Sequence, residues 1–405
     1  MTDMLSWVWY SLLRGVGTKS RRALAERIGD PSDILRASPR ALRDCGLDGD
    51  ALTELMNHDM TAAEQVIASC EELDVNILTV QDAVYPERLR NIYDPPEVLY
   101  VKGRLPAVDC EAVIGVVGTR HASPYGIQMS RSLGYGLARG GAIVATGLAG
   151  GCDSAAAVGA LMGGGRVIGV LGTAIDEVYP PFNRRLFEDV AATGALVSEY
   201  APGTPGSRRF FPMRNRIIAG LSLGVVVAEA PRGSGALITA KHALDYGRDV
   251  FAVPGNADAA GSRGSNELIQ DGARLCVKAR DVLSEYARFF PEKLTVGEHS
   301  IPEERSIPDM PADAVQEKPP KPEIPKPKRL IESAPRLEEQ LSALSETQLK
   351  IVSVMNKTSM HIDDIIDLSG LPASTVLAEM TLLQIKGYVE QGSGKRFTLK
   401  IMKRG

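Results

Sequence analysis

What the chain has little of narrows its reading first. Its 405 residues include five cysteines, Cys45, Cys70, Cys110, Cys152 and Cys276. They lie far apart with no C-x-x-C spacing, which argues against a disulfide framework or a thiolate metal knuckle and predicts reduced, mostly buried thiols in a cytoplasmic protein. Long hydrophobic runs are missing as well. The opening segment MTDMLSWVWYSLLRG carries only about ten apolar residues, without a basic leader or a small-residue cleavage site, so it predicts a core helix bearing Trp7 and Trp9 and no membrane association. Excess positive charge is also lacking. With 46 basic and 50 acidic residues the formal net charge is −4, so any polyanionic partner must be held by a local patch and not by the average field.

With 44% apolar and 24% charged residues, the chain reads as a soluble globular protein of two or three domains. Residues 1–80 predict a small helical domain. A first helix ends near Arg14, Gly15-Val16-Gly17 turns tightly, and Thr18 caps a second helix with Ala23, Leu24 and Ile28 on its apolar side. Helix, G-x-G, helix fits a SAM or helix-hairpin-helix-like domain whose turn amides meet a phosphate, and it also fits a hairpin that merely packs. Between about residues 77 and 100, Tyr85-Pro86-Glu87-Arg88-Leu89 and Pro95-Pro96 are expected to join this domain to the next.

Residues 81–290 alternate short Val- and Ile-rich runs with helical patterns. Strands are expected over 113–117, 142–145, 166–171, 195–198, 223–228, 250–253 and 274–277. That alternation predicts an α/β fold, an extended Rossmann-like, doubly wound, mostly parallel sheet whose right-handed crossovers set successive loops along one edge. Over residues 291–342, Pro302, Pro308, Pro311, Pro319, Pro320, Pro322, Pro325 and Pro327 alternate with Glu and Lys. No apolar periodicity survives there, which predicts an extended, disordered linker. Residues 343–405 return to helical patterns over 347–355, 360–368 and 373–385, followed by a hairpin around Gly392-Ser393-Gly394-Lys395. Three helices and a wing predict a winged helix, yet its third helix bears Glu379 and few cations, a poor major-groove surface.

The densest chemistry lies between residues 210 and 255. A short apolar run, 223–228, is followed by Arg232-Gly233-Ser234-Gly235, a helical pattern closed by Gly247, and a second apolar run. This is strand, glycine turn, helix, strand, with the turn at the carboxyl end of a strand, where open α/β sheets bind ligands. Ser234 and Gly235 permit close backbone approach, Thr239 adds a hydroxyl, and the helix start directs unpaired N–H groups at an anion. Arg214-Asn215-Arg216 and Lys241 add charge around an amide. Two earlier loops repeat the logic: Gly118-Thr119-Arg120, and Gly147-Leu148-Ala149-Gly150-Gly151-Cys152-Asp153. Asp153 is expected as a helix cap in preference to a ligand contact. Neither loop is G-x-G-x-x-G and no acid stands at the ribose position, so no dinucleotide cofactor is expected. With no carboxylate pair, Cys/His pair or metal-ligand cluster beside them, the loops predict a site that holds phosphate and breaks no bond.

Phe-Pro-x-Arg-Asn-Arg-Ile-Ile-Ala-Gly-Leu-Ser from Phe211, Glu-Ala-x-x-Gly-Ser-Gly-Ala-Leu-Ile-Thr-Ala from Glu229 and Val-Phe-Ala-Val-Pro-Gly from Val250 follow in order. Upstream stand Val117-Gly118-Thr119-Arg120, Thr146-Gly147-Leu148-Ala149-x-Gly151-x-Asp153 and Val178-Tyr179-Pro180. In this combination the chain closely resembles the DNA-processing protein A (DprA, or Smf) family, strongly over residues 80–285. One departure stands out: the family pattern continues to a histidine where this chain has Ala157.

The resemblance implies a non-enzymatic, cytoplasmic, single-stranded DNA-binding protein. It would protect incoming DNA in natural transformation, load the RecA recombinase onto it, and act as a homodimer through the Rossmann-like domain. The expected phosphate-binding set is Gly118, Thr119, Arg120, Gly147, Gly150, Gly151, Arg214, Asn215, Arg216, Ser234, Gly235, Thr239 and Lys241, with Arg214 and Lys241 alternatively serving in structural ion pairs. Family members with such a tail are presumed to use it for protein contacts or weak DNA binding, and its partner here is left open. Two other functions are weighed. The Gly233-Ser234-Gly235 turn is distantly similar to the phosphate loop of phosphoribohydrolases, but Lys241 and His242 stand where those enzymes need a glutamate base. A pure interaction scaffold built on the linker and winged helix is the third.

Overall fold

The computed structural model describes residues 4–13, 15–301, 344–355, 360–385, 388–391 and 396–399. The chain divides into two compact units, Met1–Lys318 and Pro319–Gly405.

The first unit opens with six helices: α1 (Met4–Leu12), α2 (Thr18–Arg27), α3 (Pro31–Arg36), α4 (Pro39–Asp44), α5 (Gly49–Met56) and α6 (Thr61–Glu72). Short helices need their ends satisfied, and the Asp30 and Ser38 side chains accept from Asp33 N–H and Ala41 N–H at the starts of α3 and α4. Thr18 does not cap α2 as expected: Gly17 holds the cap position and supplies no side chain. Trp9, Leu24, Leu42 and Leu55 form the core of the bundle, while Trp7 packs into the core of the sheet domain. Packing contacts brace the hairpin turn. Arg21 donates to the carbonyls of Tyr10, Leu13 and Val16 and pairs with Glu97 at 3.1 Å.

A nine-stranded sheet follows, in the order β1-β2-β6-β5-β4-β3-β7-β8-β9. Its strands are β1 (Val75–Thr79), β2 (Val98–Gly103), β3 (Val113–Val117), β4 (Ile143–Thr146), β5 (Val167–Val170), β6 (Ala195–Ser198), β7 (Gly224–Val227), β8 (Asp249–Ala252) and β9 (Arg274–Leu275). From β6 to β9 neighbouring strands run parallel, and β3 to β7 are buried along their whole length, as near-continuous Val and Ile runs require. β1 and β2 were not among the expected strands. They add an antiparallel edge, with Ile77 opposite Tyr100 and Val101 opposite Val197, so the segment expected only to join two domains extends the sheet.

The connecting helices are α7 (Glu87–Arg90), α8 (Pro124–Arg139), α9 (Cys152–Met162), α10 (Arg184–Thr193), α11 (Phe210–Leu221), α12 (Gly235–Asp245), α13 (Arg263–Gln270) and α14 (Ala279–Tyr286). They cover both faces. Leu133, Ala156 and Val282 of α8, α9 and α14 belong to one core cluster, and Ile217, Ile218 and Ala240 of α11 and α12 to another. The strand order reverses at β3, with β4 to β6 on one side and β7 to β9 on the other. Loops leaving the carboxyl ends of β3 and its neighbours therefore meet at a topological switch point.

Residues 291–301, expected as linker, pack back on the sheet domain: Leu294 is buried and Thr295 N–H donates to Gly140 O at 3.0 Å. The rest of the expected linker lies outside the described residues. In the second unit, α15 (Glu346–Val354) starts at a Ser345–Gln348 capping box, and α16 (Ile362–Ser369) ends at Gly370, whose φ is 62°. α17 (Ala373–Ile385) follows, then a three-stranded sheet of β10 (Met360–His361), β12 (Arg396–Leu399) and β11 (Val389–Gln391). Residues 360–361, expected as helix, instead pair with β12. The fold is a winged helix; the turn at 392–395 lies outside the described residues.

Candidate functional site

Backbone hydrogen bonds tie the three glycine loops together. Cys152 N–H donates to Thr119 O at 3.2 Å, joining the loop after β4 to the loop after β3. Thr119 N–H donates to Glu229 O at 2.8 Å, joining the latter to the end of β7. From α11, Asn215 Nδ2 donates to Gly235 O at 3.1 Å and pins the third turn. The expected gathering of loops along one rim is what the chain forms.

The glycines divide by what surrounds them. A Cβ on Gly118 would fall 2.5 Å from that of Cys152, and one on Gly151, whose φ is 78°, would fall 2.4 Å from Thr119 O. Gly147 would meet the Arg214 guanidinium at 2.4 Å. Their missing side chains let the loops pack against each other. Gly233 and Gly235 have nothing within 4 Å, and Gly150 meets only the Phe182 ring edge, at 3.3 Å, and Arg120 O. These leave backbone open to a ligand.

The arginines divide as sharply. Arg214 and Arg216, expected to contact phosphate, are 3% and 6% exposed. Arg214 donates to Gly147 O at 2.9 Å and to Val170 O, bracing the ends of β4 and β5. Burial pushes its guanidinium down to about 10, with Asp153 opposing that shift. Arg216 bridges Asp94 at 3.0 Å and Glu199 at 2.6 Å. Burial would lower its pKa, but Glu199 and then Asp94 hold it above the usual arginine range. Both cations stand beneath the rim because α11 is buried from Arg214 to Leu221. Thr239 (1% exposed) and Thr119 (8%) are enclosed, and Ser234 Oγ accepts from Ala236 N–H as the cap of α12.

Asp153 proves to be a cross-link between loops and not a cap of its own helix. It accepts from Gly118 N–H at 3.2 Å and from Gly147 N–H, and burial raises its carboxyl to about 6. Glu229, a second buried acid that sequence reasoning passed over, accepts from Ser123 N–H at 2.8 Å. Each carboxylate is engaged by backbone amides. Burial pushes the Cys152 thiol up to about 12. Ala157, which stands where the family pattern has a histidine, lies wholly in the core. Among the described residues no group of three or more His, Cys, Asp and Glu side chains could hold a metal ion.

At the surface the rim offers a cation on aromatic rings. Arg120 is exposed, with its guanidinium 4.6 Å from the Phe211 ring centroid. Tyr179 lies 5.3 Å from Phe211, Tyr200 stacks on Phe210 at 3.8 Å, and Phe182 is 43% exposed. Lys241 is exposed in the second turn of α12. The aromatics went unassigned in the sequence because they arrive from the loops after β5 and β6 and the start of α11; the doublet Phe210-Phe211 opening a helix was the available signal.

The model of the DNA recombination-mediator protein A family matches residues 76–287, and that of the DprA winged helix domain matches residues 333–395. The chain belongs to the DNA recombination-mediator protein A family. Protein Smf of Synechocystis is 32% identical over 98% of each chain. The DNA processing protein DprA of Streptococcus pneumoniae is 43% identical, over 51% of this chain and 73% of that protein. The X-ray structure of the pneumococcal protein superposes with a TM-score of 0.61 at 32% identity, covering 70% of this chain and 99% of that one. In this DprA-type chain no helix among the described residues is long and apolar enough to cross a membrane. Its winged helix presents no cation on α17, where Leu377 and Leu382 are 51% and 44% exposed.

Proposed function

We propose that this chain binds single-stranded DNA along the carboxyl rim of its sheet, protects it, and loads the RecA recombinase onto it as a homodimer. The observation that carries the DNA contact is Arg120 lying on Phe211 beside the exposed Phe182. A cation over rings, next to open backbone at Gly150 and on the same rim as the open turn of Gly233 and Gly235, suits a phosphate followed by a splayed base. Nothing in such contacts reads sequence, because every base has a π-face. Duplex DNA keeps its bases stacked inside and offers the rings nothing. Protection, recombinase loading and dimerisation rest on membership of a recombination-mediator family.

The rim holds its ligand without cleaving it. Asp153 and Glu229 are both bound by backbone N–H groups, so neither is poised as a free base. A gel-shift titration of single and double strands across salt concentrations tests the reading. Single strands should bind more tightly at every salt concentration, with affinity falling as salt rises. Equal affinity for duplex would place the function elsewhere.

A further inference from the structure

A cavity of about 980 Å³ lies on the sheet domain between α8, the start of α14 and residues 297–301. At the carboxyl edge of the sheet it takes in Ala122 and Pro124 of the loop after β3 and Val277 and Lys278 after β9. Its volume falls in the range of pockets that enclose a small organic molecule. Arg131 lines it and is 8% exposed, yet its guanidinium makes no hydrogen bond or ion pair with any described residue, and Nε is sealed from water without a partner. Burial lowers its pKa, and among the described residues no carboxylate opposes that shift. His299 Nε2, also in the lining, is likewise enclosed without a partner.

An unpaired buried guanidinium is costly, and natural sites that keep one give it an anion. The remaining lining fits such a guest. Ile127, Leu133 and Val277 provide apolar wall, and Lys278 is paired with Glu298 at 2.6 Å. We infer that this cavity binds a small organic anion whose phosphate or carboxylate seats on the terminal nitrogens of Arg131 and whose apolar body lies against Ile127, Leu133 and Val277. Its lining includes none of the residues assigned to DNA contact, so its occupancy and DNA binding are read as separate measurements.

The full-length protein is titrated calorimetrically with phenyl phosphate, benzoate and inorganic phosphate. One of the two aryl anions should bind saturably at one site per chain, and whichever binds more tightly names the anionic group. Inorganic phosphate should bind more weakly than phenyl phosphate. Arg131→Met, which keeps the aliphatic stem, should weaken the aryl anion about 10- to 100-fold, as loss of a charged hydrogen-bond partner does. Oligonucleotide affinity should not change. Val277→Asp, at a half-exposed position, gives the same reading if the arginine variant does not fold, because it sets a repelling carboxylate in the wall. Failure of both aryl anions to bind, or binding that survives in the folded variant, overturns the inference.

Discussion

Replacing Arg216 with Met separates bracing from binding. The side chain is 7% exposed and its guanidinium bridges two carboxylates, Asp94 and Glu199, whose side chains are 28% and 21% exposed. Removing one member of a buried pair costs about 3–5 kcal/mol, because the partner charge stays behind. Here water reaches both carboxylates in part, and the methionine stem keeps the packing, so the low end applies, about 3 kcal/mol. With a urea dependence of about 3 kcal/mol per molar for a domain of this size, the unfolding midpoint should fall by about 1 M. Affinity of the folded variant for a fluorescent oligonucleotide should match that of the native protein, since the side chain does not reach the rim. Urea melts and fluorescence anisotropy on the same preparation read both quantities. A variant of native stability with weakened DNA binding would refute the assignment.

Phe182→Ala should weaken single-strand binding by roughly tenfold whatever the sequence, the scale of one lost base stack, with little effect on stability because the ring is 43% exposed; unchanged affinity would remove it from the path. The Asp153 carboxyl, ordinarily at 3.8, is raised to about 6 by burial. Between those values the folded state holds a proton that the unfolded state releases. The contribution of this group to stability is therefore greatest at the acid end and declines by up to about 3 kcal/mol as pH rises through 6. Asp153→Asn should flatten that part of the stability curve, and an identical curve would contradict the assignment. Cys110 is exposed while Cys45, Cys70, Cys152 and Cys276 are buried, so a thiol reagent at pH 8 should modify Cys110 first. Rapid modification of Cys152 in the native protein would show that its loop opens.

The parallel strands were legible because strands covered on both faces need almost unbroken Val and Ile, and 113–117 and 195–198 end where the composition changes. β1 and β2 were not. VNILT breaks alternation at Ile77-Leu78 and is only partly buried, while VLYV of β2 is a short apolar run whose strand identity comes from its pairing with β1 and β6. In the site, the loops were found because glycines and helix starts are sequence-local signals. The direction in which α11 points its arginines is not local. Arg214-Asn215-Arg216 looked like surface charge, but Ile217 to Leu221 continue without a polar face, and a helix buried all round must pair any arginine it carries. The aromatic platform depends on two loops and a helix start converging, which only the fold supplies.

Arg120→Ala tests the central claim most directly, measured as single-strand affinity against salt concentration for oligonucleotides of several sequences. The account predicts weaker binding to all of them and a log–log salt slope reduced by roughly 0.7, one phosphate contact fewer. Native affinity at low salt with an unchanged slope would contradict it.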